Sequence, residues 1–164
     1  MVTVFFTDKE IADGERFQEK MNKIASKFKN RGIANVNYDK VGYLSELAFE
    51  KFLKHIGKEY GKDEVWGGSD RYDFLINGNR YDVKCSQKFK NKLVVNEKKL
   101  AKSKKNGTLL VGTYIDHKFS RCNIHGWCTH DDMMEDDNQW KGGRLYYCPF
   151  NKLTEFKYSG IIDN

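Results

Sequence analysis

A mixed β-sheet flanked by helices, an α/β fold, is what this sequence predicts. Three observations carry the prediction. Two stretches with apolar residues at helical spacing lie ahead of residue 57. A compact hairpin signal, RYDFLINGNRYDVKCSQ, runs from Arg71 to Gln87. A lysine-dense helix then leads into TLLVGTYI, a near-continuous apolar strand of the kind buried on both faces. Helical and strand periods that alternate along one chain point to a sheet with helices packed on it.

The bulk properties agree. A chain of 164 residues is most simply one domain, 1–164, and is long enough to bury a core. Hydrophobic residues make up 39% and aromatics 14%, which separates it from a disordered chain. No apolar run is long enough to span a bilayer, so no membrane partner is expected. The opening MVTVFFTDKE has too short an apolar run for a secretory leader, and a cytoplasmic location is expected. The net charge of +6 favours a polyanionic partner such as nucleic acid. Cys85, Cys122, Cys128 and Cys148 form no CxxC pair and read as reduced, partly buried thiols rather than zinc ligands. No internal repeat is present.

Taken in order, residues 8–28 predict a first helix. Asp8 is the expected cap, and Phe17, Met21, Ile24, Ala25 and Phe28 mark the packed stripe. Lys20, Lys23, Lys27 and Lys29 read as a solvated face. Residues 30–39 read as loop or a short strand. A second helix is expected from Tyr43 to Ile56, apolar around most of its circumference. Residues 57–70 read as a polar connection. The hairpin comes next, then a basic stretch (88–92), a short strand (93–95) and a lysine-rich helix (97–105) closed by Asn106-Gly107. Thr108–Ile115 is expected at the centre of the sheet. Further strands are expected at 123–129 and 145–149, with a turn or short helix from Leu153.

The hairpin carries the chemistry. Asn77-Gly78 is a strong type I′ turn signal, because both residues tolerate positive φ. A two-residue loop at 77–78 sets Asp73 opposite Asp82, with Lys84 two residues along on the same face. A loop at 78–79 instead sets Asp73 opposite Lys84. A three-residue loop would send Asp73 to the other face. Facing carboxylates repel, and a divalent cation reverses that sign. Mg²⁺ takes one or two carboxylates together with substrate phosphates, which suits Asp73 and Asp82. A lysine beside them can orient water or stabilise developing charge. The competing reading is an ordinary polar hairpin face in which Lys84 only neutralises the aspartates.

The second helix supplies two more acids. Glu46 falls at the margin of the apolar arc and has a like charge, Glu50, four residues on. Glu50 has Lys54 four residues on and reads as a solvated ion pair. Two other clusters are weaker. Asp116, His117, Asn123 and His125 are too tightly spaced for a His-Asn-His nuclease unit. Asp131, Asp132, Glu135, Asp136 and Asp137 lack the ligand alternation of a calcium loop and read as a solvated acidic loop.

A glutamate-bearing helix after Gly42 (VGYLSELAFEKFL), an aspartate-bearing strand (SDRYDFLING) and Asp-x-Lys beyond a short hairpin (YDVKCSQ) together resemble the PD-(D/E)xK nuclease superfamily. The resemblance covers roughly residues 42–155 and implies a restriction-endonuclease-like fold. It departs from the pattern in having no proline before the aspartate and only a short gap between Asp73 and Asp82, so Asp70 stands as an alternative to Asp73. The resemblance implies that Asp73 and Asp82 hold Mg²⁺, or Mn²⁺ in its place, with help from the Val83 carbonyl. Lys84 would activate water. Glu46 would complete the acidic set, through water or a second metal. The implied reaction is phosphodiester hydrolysis, in DNA rather than RNA, leaving a 5′-phosphate and a 3′-hydroxyl. Lys88, Lys90, Lys92, Lys98, Lys99 and Lys102 would contact phosphates, and Ser86 and Gln87 the scissile strand. Endonuclease and exonuclease action both stay open, as does a homodimer that cuts two strands. A non-catalytic nucleic-acid-binding module on the same fold is the alternative.

Overall fold

The computed structural model describes residues 1–27, 38–62, 72–140 and 143–162. The expectations that fell on Phe28, Lys29, residues 30–37 and Asp70 lie outside these residues.

Helix α1 spans Asp8–Lys27. Thr7, not Asp8, caps it. The Thr7 hydroxyl accepts the Glu10 N–H at 3.2 Å, and the Glu10 carboxylate takes the Thr7 N–H at 2.8 Å. This reciprocal pair is a capping box. Helix α2 spans Tyr38–His55 and starts five residues before the expected Tyr43. Its early start is satisfied from outside. The Gln18 side-chain oxygen on α1 accepts the N–H groups of Asp39 and Lys40, each at 3.1 Å, which are otherwise orphan donors of a helix N-terminus. Gly14 lets the two helices approach, because a Cβ there would sit 3.3 Å from Leu44.

Nine strands form two sheets among the described residues. They are β1 (Val2–Phe5), β2 (Phe74–Ile76), β3 (Asn79–Ser86), β4 (Lys92–Asn96), β5 (Thr108–Ile115), β6 (Arg121–Cys128), β7 (Met134–Trp140), β8 (Gly143–Pro149) and β9 (Gly160–Ile162). Helix α3 (Glu97–Asn106) lies between β4 and β5. The larger sheet runs β2-β3-β5-β6-β1-β9 and is mixed: β3–β5 and β1–β9 are parallel, the other pairs antiparallel. The smaller sheet runs β4-β8-β7. The protein is therefore a mixed α/β chain, as the alternating periods predicted, and β5 lies inside the larger sheet.

Two cores flank the larger sheet. On one face, Leu44, Phe49, Phe52 and Leu53 of α2 pack on Phe74, Val83, Val111 and Ile124. On the other, Leu93 and Val95 of β4, Cys148 of β8, Phe150 and Leu153 pack on Leu110 and Cys128. Strand alternation explains the division along β5, where Leu110 goes one way and Val111 the other. In β6 the alternation breaks at a bulge: Gly112 pairs with Gly126, but Thr113 pairs with Ile124. His125 is the extra residue, and its ring stacks on Phe150 with centroids 3.8 Å apart. Gly126 follows with φ +153, and a Cβ there would lie 2.5 Å from the Thr154 carbonyl oxygen.

Several expectations are corrected here. The opening run, for which no element was expected, forms a strand: Val2–Phe5 pairs with β6 and Val2–Val4 with β9. The acidic stretch is not a plain solvated loop. His130–Asp132 form a 3-10 turn and Met134–Trp140 form β7. Asp136 in β7 holds Lys92 at 2.6 Å with only 7% of its side chain exposed, which is why an acidic segment tolerates a sheet. The 3-10 turn at Phe150–Lys152 precedes Leu153, and the described chain closes on β9.

Candidate functional site

The hairpin forms with the Asn77-Gly78 loop. Asn77 and Gly78 have φ of 49° and 79°, and Phe74, Leu75 and Ile76 pair with Tyr81, Arg80 and Asn79. Strand β3 then sorts its side chains. Tyr81, Val83 and Cys85 join the core under α2. Asp82 and Lys84 take the opposite face, toward α3.

Asp73 reaches this group by a different route from the one expected. The predicted strand from Tyr72 begins only at Phe74, and Asp73 sits in a bend before it. Its N–H donates to the Tyr81 carbonyl at 2.9 Å, so it is not a ladder partner of Asp82. Its carboxylate accepts the Val83 N–H at 2.6 Å. A residue in an extended strand turns its N–H and C=O to the same edge, so the Val83 carbonyl also faces the Asp73 side.

Asp73, Asp82, Lys84, Lys99 and Lys102 line one cavity of about 180 Å3. The Lys84 ammonium pairs with the Asp82 carboxylate, and only 19% and 20% of the two side chains are exposed, so water screens the pair weakly. Burial pushes the Asp73 carboxyl well above the usual carboxylate range. The charges of Asp82 and Glu46 push it the same way, against the pull of Lys84. Lys99 is shifted down, first by desolvation and then by the Lys84 charge, although Asp82 and Asp73 oppose the shift.

Glu50 pairs with Lys54 as expected, but it is not a solvated ion pair, since only 17% of its side chain is exposed. Glu46 lies close enough for its charge to act on Asp73. Glu50 faces elsewhere and is saturated. Tyr60 donates to it at 2.6 Å, Lys54 pairs at 2.8 Å, and Lys62 pairs with its other oxygen. Burial alone would raise its pKa, but these three partners hold it at about 2.

The remaining predicted contacts scatter. Ser86 is buried and its hydroxyl accepts the Phe89 N–H at 2.7 Å, so it shapes the turn after β3. The Gln87 amide donates to the Asp116 carbonyl at 3.4 Å. Lys92 is committed to Asp136 and lies over the Tyr147 ring. Lys88, Lys90 and Lys98 are exposed. Only Lys99 and Lys102 join the carboxylates. Their spacing, one turn of α3, was visible in the sequence, but nothing there placed that turn across from β3.

Among the described residues no three His, Cys, Asp or Glu side chains are gathered as a ready metal cage. The donor chemistry still fits a hard divalent cation. Two neighbouring carboxylates, one with its proton affinity raised by burial and then by the other's charge, offer what Mg²⁺ takes from a protein before substrate phosphates complete its shell. No family model, characterised protein or solved structure matches the chain.

Proposed function

We propose that the chain is a metal-dependent nuclease of restriction-endonuclease-like fold that hydrolyses phosphodiester bonds in DNA. One observation carries the reading: Asp73, Asp82 and Lys84 share a cavity with Lys99 and Lys102, and the charge of Glu46 reaches into it. Carboxylates set against ammonium groups suit a phosphodiester, whose charge needs cations on one side and whose attacking water needs polar anchors on the other.

Asp73, Asp82 and the Val83 carbonyl would hold Mg²⁺ or Mn²⁺, with Glu46 alongside. When bound, the cation would supply Lewis-acid polarisation of the phosphoryl oxygens. The chain's own groups do the rest. Val83 N–H fixes the Asp73 carboxylate. Lys84 orients the attacking water. Lys99 and Lys102 neutralise the phosphate at the cavity mouth. Water adds to phosphorus, the P–O3′ bond breaks, and the water's proton ends on the released 3′ oxygen.

A second reading has its own support. Lys84 already neutralises Asp82, as a purely structural lysine would, and this favours a non-catalytic nucleic-acid-binding module. A cleavage assay separates the two. Single-stranded, duplex, supercoiled and branched DNA, and RNA, are incubated with Mg²⁺, Mn²⁺ or EDTA, with wild type beside Asp82→Ala. Metal-dependent cutting lost in the variant supports the nuclease. Salt-sensitive binding without cutting of any substrate supports the module.

A further inference from the structure

Helix α3 has a cavity on each flank. Lys99 and Lys102 line the carboxylate cavity. Leu100, Ala101 and Lys104 line a second cavity of about 320 Å3, closed by Met133, Tyr146 and His130. At about 100° per residue, the second set falls roughly opposite Lys99 and Lys102 around the helix. Ser103 is buried beneath α3, its hydroxyl donating to the Thr108 carbonyl at 2.7 Å. Lys98 and Lys105 fall on the outer side between the two cavities, and both are exposed. A path from one cavity to the other thus crosses a helix about 10–12 Å wide, over ammonium groups all the way.

The second cavity has the lining a nucleobase seeks. Tyr146, Met133 and Leu100 give the cavity apolar surface and His130, paired with Asp131 at 3.2 Å, adds a second ring; base stacking on aromatic side chains tolerates any sequence. Glu97 and Asp131 at the rim offer acceptors for ring N–H and amino groups, where a phosphate would be repelled. A base still paired in a duplex has no free face to insert. Only an unpaired nucleotide can enter.

We infer that the nucleic acid crosses α3 as a single strand, with a phosphate in the carboxylate cavity and an unpaired base in the Tyr146–Met133 cavity on the far flank. The inference rests on the nuclease reading for the phosphate's fate, but the strand's path can be tested without cleavage. α3 is held for this task at both ends. Asn96 accepts the Lys99 N–H at 2.9 Å, and Gly107 closes the helix in the left-handed region at φ 60°.

The test is equilibrium binding by fluorescence anisotropy in EDTA, with a labelled oligonucleotide offered as a single strand or as a blunt-ended duplex with its complement. The single strand is expected to bind about tenfold more tightly, the scale of one stacked base. Ala101→Trp, an exposed helical position, fills the cavity and should remove most of that advantage while circular dichroism stays unchanged. Equal or tighter duplex binding, or a single-strand preference untouched by Ala101→Trp, overturns the inference. Metal-dependent, Asp82-dependent cutting alongside duplex preference would overturn the strand path and leave the nuclease standing. Single-strand preference erased by Ala101→Trp, in a chain that cuts nothing, would do the reverse.

Discussion

The Asp73 carboxylate accepts the backbone N–H of Val83 at 2.6 Å, across the gap left because β2 begins only at Phe74. A side chain stands in for the next rung of the sheet. The substitution has two effects: it satisfies a donor on β3, and it carries a carboxylate to Asp82 that a regular strand would have sent to a ladder position.

Asp73→Asn should stabilise the fold at neutral pH. The amide oxygen can still accept the Val83 N–H. The native Asp73 has a raised pKa, so the folded state binds its proton more tightly than the unfolded state does. The resulting stability is present at low pH and is lost as pH rises from the ordinary carboxylate value through the raised one. The variant should therefore show a flatter dependence of Tm on pH above 4, with a gain at pH 7 of about 2–4 °C for each kcal/mol recovered. A variant less stable than wild type at pH 7 would show that the carboxylate is held there as an anion.

Glu46→Gln and Glu50→Gln should fail in opposite ways. Glu46→Gln should lose cleavage with little change in stability. Glu50→Gln leaves Lys54, Lys62 and Tyr60 without their anion and should cost about 1–3 kcal/mol by denaturant unfolding, with cleavage retained. Its depressed pKa adds a pH signature. The stability that Glu50 contributes is present above the ordinary carboxylate value and is lost as pH falls toward about 2. An active Glu46 variant beside an inactive Glu50 variant would exchange their roles.

Lys84→Ala should abolish cleavage and spare nucleic-acid binding, because Lys99 and Lys102 keep the phosphate contacts. Binding measured in EDTA should fall by no more than the single charge removed. Unchanged cleavage would take Lys84 out of the chemistry.

Gly126→Ala should destabilise by about 1–3 kcal/mol, the usual cost of overpacking. The added methyl meets the Thr154 carbonyl at the point where Trp127 and Thr154 exchange backbone hydrogen bonds of 3.0 and 2.8 Å. A neutral effect on the unfolding midpoint would mean that the Phe150–Thr154 segment moves aside freely.

Cys122→Ser and Cys128→Ser should leave cleavage intact and bind no zinc. Both thiols are buried, and burial raises their proton affinity, which opposes the thiolate that zinc needs. Zinc that co-purifies with wild type and is lost in either variant would reverse this.

Much of the frame was legible because its signals are local. Asn77-Gly78 needs positive φ at two successive positions, and few residue pairs allow that. The Gly107 end of α3 is a backbone event within four residues, its N–H reaching the Lys104 and Ser103 carbonyls. The Thr7 to Glu10 pair is equally local, and T-D-K-E is the plain capping-box spacing that favours Thr7 over Asp8 as the cap. The early start of α2 could not be read, because its caps come from Gln18, twenty-one residues away from Asp39. Strand β7 was hidden for a similar reason. Its acids suggest loop until Lys92, forty-four residues distant, neutralises Asp136.

By itself the sequence determined the α/β class, the presence of the hairpin, and the sharing of one strand face by Asp82 and Lys84, while the hairpin's register stayed open among three loops until the structure set Ile76 against Asn79. These follow from periods of two and 3.6 residues and from turn chemistry, which act over a few bonds. Only the tertiary structure decided that Asp73 arrives from a bend, that Lys99 and Lys102 close the cavity while Lys92 does not, and that α3 has a second cavity behind it. Those outcomes depend on which distant elements pack together, and burial of apolar area, being non-directional, leaves no local mark of the partner it selects.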